Sequence, residues 1–328
     1  MVRHIVSRSL IGLALLCPVT TDAPLQAIET DQYYAWGRPL ADATDMVNAK
    51  FNLEIDRVLA EINAKPSGRR QSCAKVRKAI VGHFRLLIFH DLELWTNNTG
   101  LVERIPATAE EELEYRKRYL YHNRRKVDFV TMVPPSPTIE LNGVRTGTDK
   151  LTHFLSQGWW YYGWYSKALR KGMTNEQAER KAIDRGIFTE RTILGKASSG
   201  VLSIPDLEAN YQGMHFLSEM CEGEAPYLQR DEAGWRFDRP FDFRDYVTPE
   251  WDESYIPSVY TKRRWRRVQP VLVQYCPQLS GSFVQERWAD YRTRDVETVT
   301  ERRIRELVEA GKLPDPESFS IDRLCESR

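Results

Sequence analysis

The sequence predicts a mainly α-helical fold, a single helical domain with small β-hairpins, and three observations predict it. Apolar residues recur at helical spacing through several long segments, capping residues mark where those segments begin and end, and the extended signals between them are only a few residues long. Composition agrees. Of 328 residues, 41% are hydrophobic, 11% aromatic and 28% charged, enough apolar surface to bury a core and far from a disordered or collagen-like chain. Lys and Arg number 47 against 46 Asp and Glu, a formal charge of +1. That balance supplies no bulk attraction for nucleic acid, which is not expected as a partner.

The chain opens like an export signal. Arg3 and Arg8 precede an apolar run from Leu10 to Val19, followed by the small and polar residues 20–27. Cleavage after Ala27 is favoured over Ala23, giving a signal of residues 1–27 and an exported domain of residues 28–328. Cys17 follows two leucines, where lipid attachment wants small side chains, so lipoprotein anchoring is not expected. Cys73, Cys221, Cys276 and Cys325 remain, an even number suited to two disulfides in an oxidising compartment, with three pairings open. No later stretch is long and apolar enough to span a bilayer.

The elements follow in order. Val47, Phe51, Ile55, Leu59 and Ile62 predict a helix from Asp45 to Asn63, and Val76, Ile80, Phe84 and Leu87 another within Ser72–Trp95. A Thr108 start signal predicts a helix to Tyr121. Residues 127–133 alternate like a short strand, and Asn142-Gly143 predicts a hairpin over Thr138–Thr146. Thr174 and Gln177 form a capping-box pattern for a helix ended by Gly186, and Ser203, Asp206 and Pro205 begin one reaching Cys221. A second hairpin is expected over Tyr227–Phe237, and the last clear helix over Asp295–Ala310.

Chemistry concentrates in Gly147–Phe154. Asp149 and His153 stand four residues apart on one helix face, so a carboxylate can orient the imidazole as a general base, or both can bind a divalent metal. The competing reading makes Asp149 a cap and packs His153 among Phe154, Trp159 and Trp160. The run Asp149-Lys150-x-x-His153-Phe154 resembles the D-K-x-x-H motif of VanZ-like proteins and of small predicted periplasmic lipoproteins of unknown function. The resemblance implies an envelope location and a polar site around Asp149, Lys150 and His153.

Further candidates lie downstream. Glu208, Gln212, His215 and Glu219 form one stripe of the Ser203 helix, read either as its solvated side or as a source of acid/base groups or metal ligands, with His215 a third ligand beside Asp149 and His153. Glu190 precedes the small-residue run Gly195–Gly200 and suits a general acid, with Asp206 or Glu208 as the second carboxylate. His83 and His90 share a helix face, but an adjacent His-Asp is a weak metal signal. Trp159 and Trp160 begin an aromatic run that suits a glycan or lipid groove as well as a core. Arg263, Arg264 and Trp265 stand in the basic run Lys262–Arg267, which suits anionic head groups or a protein partner. Two functions therefore stand: an envelope hydrolase acting on a glycan, lipid or phosphoester through an Asp/His/Glu site, and a non-catalytic envelope binding or scaffold protein engaging lipid or a protein.

Overall fold

The computed structural model describes residues 30–84, 91–121, 135–192, 200–223, 225–294 and 296–327. The expected signal peptide, His90, the strand at 127–133 and residues 195–199 lie outside these. The architecture is mainly helical with three two-stranded antiparallel sheets.

Helix α1, Thr44–Asn63, buries Val47, Phe51, Ile55 and Leu59 along one stripe. The expected long second helix is described as α2, Cys73–Phe84, and α3, Asp91–Asn98. In α4, Ala109–Arg118, the Thr108 side chain accepts the Glu111 backbone N–H, as its start signal implies. Strands β1, Thr138–Leu141, and β2, Val144–Gly147, then pair through Asn142 and Gly143, both at positive φ as a tight hairpin turn requires.

A short helical turn, Asp149–Thr152, continues through a wide π turn, His153–Gln157, into α5, Gly158–Leu169. Thr174 and Gln177 make the expected capping box for α6, Asn175–Thr189. Gly186 does not end that helix. A Cβ there would lie 1.6 Å from the Tyr161 hydroxyl, so the glycine admits α5 against α6 rather than stopping the chain. Ser203 caps α7, Ile204–Glu219, which ends two residues before Cys221.

Helix α7 is the axis of the molecule. It is buried nearly all round, with Ala209, Phe216 and Leu217 in the main apolar cluster and Leu207, Tyr211 and Met214 in a second cluster with α5, α6 and the C-terminal helices. Close approach to the π turn and the start of α5 is made by glycine. A Cβ on Gly213 would lie 1.7 Å from the Phe154 carbonyl oxygen, and one on Gly158 2.9 Å from the Gly213 backbone. Phe51, Phe154, Phe216, Phe241 and Tyr246 interlock their rings on this side.

Strand β3, Val201–Leu202, pairs with β6, Val259–Tyr260, and the hairpin of β4, Leu228–Arg230, with β5, Trp235–Phe237, forms where expected. The basic run is the start of helix α8, Lys262–Leu272. This changes two expected binding residues. Arg264 is buried and donates to the Tyr121 carbonyl at 3.0 Å, while half-buried Trp265 stacks on Tyr260 and meets Phe319 edge-on. Lys262, Arg263 and Arg266 are left exposed. Helix α9, Ser282–Arg294, carried no signal we recognised. Helix α10, Val299–Glu309, starts after a Thr298–Glu301 capping box, later than expected, and α11, Ile321–Glu326, closes the described chain.

Disulfides join Cys73 to Cys221 and Cys276 to Cys325, which suits an oxidising, extracytoplasmic compartment. No helix among the described residues is long and apolar enough to cross a membrane.

Candidate active site

Lys150 lies at the centre, with its side chain fully buried. An ammonium there is costly unless carboxylates surround it, and three do: Asp149 Oδ2 at 2.9 Å, Asp206 Oδ1 at 2.7 Å and Glu253 Oε1 at 2.5 Å. The helical turn after β2 delivers Asp149, Lys150 and His153. The first turns of α7 deliver Asp206 and Asn210, and the irregular segment after Trp251 delivers Glu253. Thr30 Oγ1 donates to the other Asp149 oxygen at 2.8 Å. Gly147 leaves room for that closure, since a Cβ there would fall 2.0 Å from Thr30 Oγ1 and 2.1 Å from Asp149 Oδ1.

His153 is held at both nitrogens. Its Nδ1 is 3.1 Å from Asn210 Oδ1, and Asn210 Nδ2 donates to Gln157 Oε1 at 3.3 Å, which fixes the amide with its oxygen towards the ring. With the amide in this orientation, the tautomer that suits the contact is the one in which Nδ1–H donates to Asn210 Oδ1. Nε2 faces Asp206 Oδ2 at 3.4 Å. A bare imidazole nitrogen and a carboxylate oxygen repel, so a proton or a cation belongs between them.

The acids around this centre are driven apart. Burial, then the charge of Asp206, pushes Glu190 up to about 8, against the pull of Lys150. Burial pushes Glu253 up to about 8 as well, opposed by Lys150 and reinforced by Asp206 and Asp149. At Asp206 burial acts in the same direction but is overcome by the charges of His153 and Lys150, so its carboxyl sits below the ordinary value. Glu93, which accepts from Thr152 and from Ser136 at 3.0 Å, is raised by burial to about 7. Burial thus favours the protonated form of Glu190 while the neighbours of Asp206 favour its carboxylate, the division of roles that acid/base chemistry needs.

Asp149, His153 and Asp206 each offer one ligand atom within 4.8 Å of the others, and among the described residues no other three His, Cys, Asp or Glu do so. The 3.4 Å between His153 Nε2 and Asp206 Oδ2 matches the ligand–ligand edge, about 3.4 Å, of a tetrahedral site with metal bonds of about 2.1 Å.

The structure brings Asp149, Lys150, His153 and Asp206 into contact, with Glu190 near enough to feel the charges of Asp206 and Lys150, and separates three other candidates from them. His215 contacts the Tyr211 hydroxyl at 2.8 Å and lies 3.7 Å from Glu179, so it is not a third ligand beside Asp149 and His153. Glu208 is fully buried, not on a solvated stripe, and accepts from Gln212 at 2.6 Å. Burial raises its carboxyl, with Thr300 and Gln212 opposing. His83 pairs with Glu54 at 2.9 Å. Trp159 and Trp160 are half-buried, and Trp159 stacks on Tyr162 and packs against the core. Asn210 and Glu253 were missed. Asn210 carried a signal, an amide on the otherwise apolar face of Leu207, Met214 and Leu217; Glu253, in an irregular segment, carried none.

Comparison with protein-family models, with curated proteins and with solved structures gives no match to this chain.

Proposed function

We propose that the protein is an exported hydrolase of the cell envelope, acting on a glycan, lipid or phosphoester at the Asp149–His153–Asp206 centre with a divalent metal and Glu190 as proton donor. The observation that carries this reading is the pairing of His153 Nε2 with Asp206 Oδ2 while Nδ1 is committed to Asn210. One imidazole and two carboxylates suit zinc or a similar ion, which lowers the pKa of bound water towards neutrality and makes a nucleophile. The Asn210 contact is the outer-shell partner that a metal-ligating histidine needs. Glu190, protonated up to about 8, would supply the leaving group's proton.

Elemental analysis of the mature protein, isolated without added metal, tests the centre. Near-stoichiometric metal that disappears in His153→Ala and Asp206→Asn is expected, and a panel of ester, glycoside and phosphoester substrates then reads turnover lost in Glu190→Gln. Metal-free protein in which NMR shows His153 as an imidazolium would sink the metal reading.

One observation favours the second function, a binding or scaffold protein with a structural ion network. Lys150 already serves three carboxylates, and Asp149, Lys150, His153 and Asp206 are each no more than 3% exposed. If that function holds, substitutions in the network unfold the protein without removing any turnover.

A further inference from the structure

A separate groove of about 210 Å³ lies between the start of α7, the Ile256-Pro257 bend, helix α10 and the residues after it. Its apolar lining is Ile204, Ile256, Pro257, Ile304, Val308 and Pro316. Its polar lining is one-sided, with four carboxylates, Glu301, Glu309, Asp315 and Glu317, against the single guanidinium of Arg305. Arg305 is committed outside that set to Glu297 at 2.6 Å and stands 3.8 Å from Glu309.

One buried acid registers the negative charge of the rim. Glu250, 1% exposed, is raised by burial to about 7, with the charges of rim residue Glu301 and of Glu208 adding to the rise. At the rim, burial and the neighbouring Asp315 raise the Glu317 carboxyl above its ordinary value, although Arg323 opposes them. A low-dielectric depression lined by one sign of charge focuses potential and selects the opposite charge.

We infer that this groove docks a lysine or arginine side chain presented by a basic polypeptide segment. A long cationic side chain matches both halves of the lining. Its aliphatic stem covers Ile304, Val308 and Ile256, and its head reaches Glu309 and Glu317, since Asp315 already stands 3.9 Å from the Arg323 guanidinium and accepts the Glu317 backbone N–H at 3.0 Å. The volume is below the roughly 300–1,000 Å³ of ordinary small-molecule sites, and suits one side chain rather than a larger ligand. Nothing in this assignment depends on the Asp149–His153–Asp206 centre.

Titration with pentalysine, followed by NMR of the isoleucine and valine methyl groups, tests it. Saturable shifts at Ile304 and Val308 are expected, weakening as salt rises and falling at least about tenfold in affinity in the double variant Glu309→Gln/Glu317→Gln. Both substituted side chains are exposed, and the unchanged melting temperature of the variant checks that the fold is intact. No shift at millimolar pentalysine, equal shifts with pentaglutamate, or undiminished affinity in the variant would overturn the inference. Spermidine binding as tightly as pentalysine would overturn the polypeptide assignment in favour of a soluble polyamine. Concentration-dependent self-association lost in the same variant would do so in favour of a second copy of the chain, offering Lys262, Arg263 and Arg266.

Discussion

Three residues set the chemistry of the centre, each by a different physical route. Lys150 supplies charge, and removing it strands three carboxylates in a medium that cannot solvate them. Lys150→Met is expected to cost about 3–5 kcal/mol, read from denaturant unfolding. Asn210 supplies orientation. Asn210→Leu frees the Nδ1 proton of His153, so metal affinity is expected to fall about 10–100-fold by competition with a chelator, with a much smaller change in stability. Gly147 supplies space. The Asp149-Lys150-x-x-His153 run was legible because its residues are neighbours on one helical turn. Glu253 was not, because what makes it part of the site is the 103-residue loop closure that brings its carboxylate to Lys150.

At the level of elements, the crossing of α7 with the π turn before α5 decides whether Asp206 meets His153 at all. Gly213→Ala drives a methyl group into the Phe154 carbonyl, a clash with backbone that no rotamer change relieves. A loss of about 1–3 kcal/mol or more is expected in chemical denaturation, together with lost metal binding if the crossing is what assembles the centre. Gly213 was silent in the sequence because a glycine inside a helix reads as weak propensity, whereas close approach is visible only with both helices in place. Gly186 misled for the same reason: it resembles a helix stop and serves the Tyr161 hydroxyl. Periodicity and caps found α1, α4, α6 and α7, since those signals are local. The basic run Lys262–Arg267 was read as a surface, although Arg264 turns inward to Tyr121, a partner more than a hundred residues away.

For the whole molecule, buried acids set the response to pH. Burial lifts Asp31, Glu93 and Glu250 to about 7 and Glu190 and Glu253 to about 8. An acid whose pKa rises on folding binds more protons in the native state than in the unfolded one, so its contribution is complete below the unfolded value and is lost as pH climbs through the folded value. The metal-free protein is therefore expected to lose melting temperature steadily between about pH 5 and pH 9. Glu190→Gln should make that loss shallower between about pH 5 and pH 8, and an increase in stability over the range would contradict the assignment. The two disulfides act on the other side of the equilibrium, restricting the unfolded chain. Reduction is expected to cost about 2–5 kcal/mol for each bridge, measured by unfolding with and without reductant.

The Cys73–Cys221 bridge also changes what a cut in the chain would do. Asp149 and His153 come before residues 193–199 and Asp206 after them, yet all lie between the two bridged cysteines. A protease that cleaves after Lys196 would leave two polypeptides that part on a reducing gel but run as one species without reductant. The centre would then be a junction of two chains held by sulfur, and if it binds the proposed metal, that metal should survive the cut and be lost only when the bridge is opened.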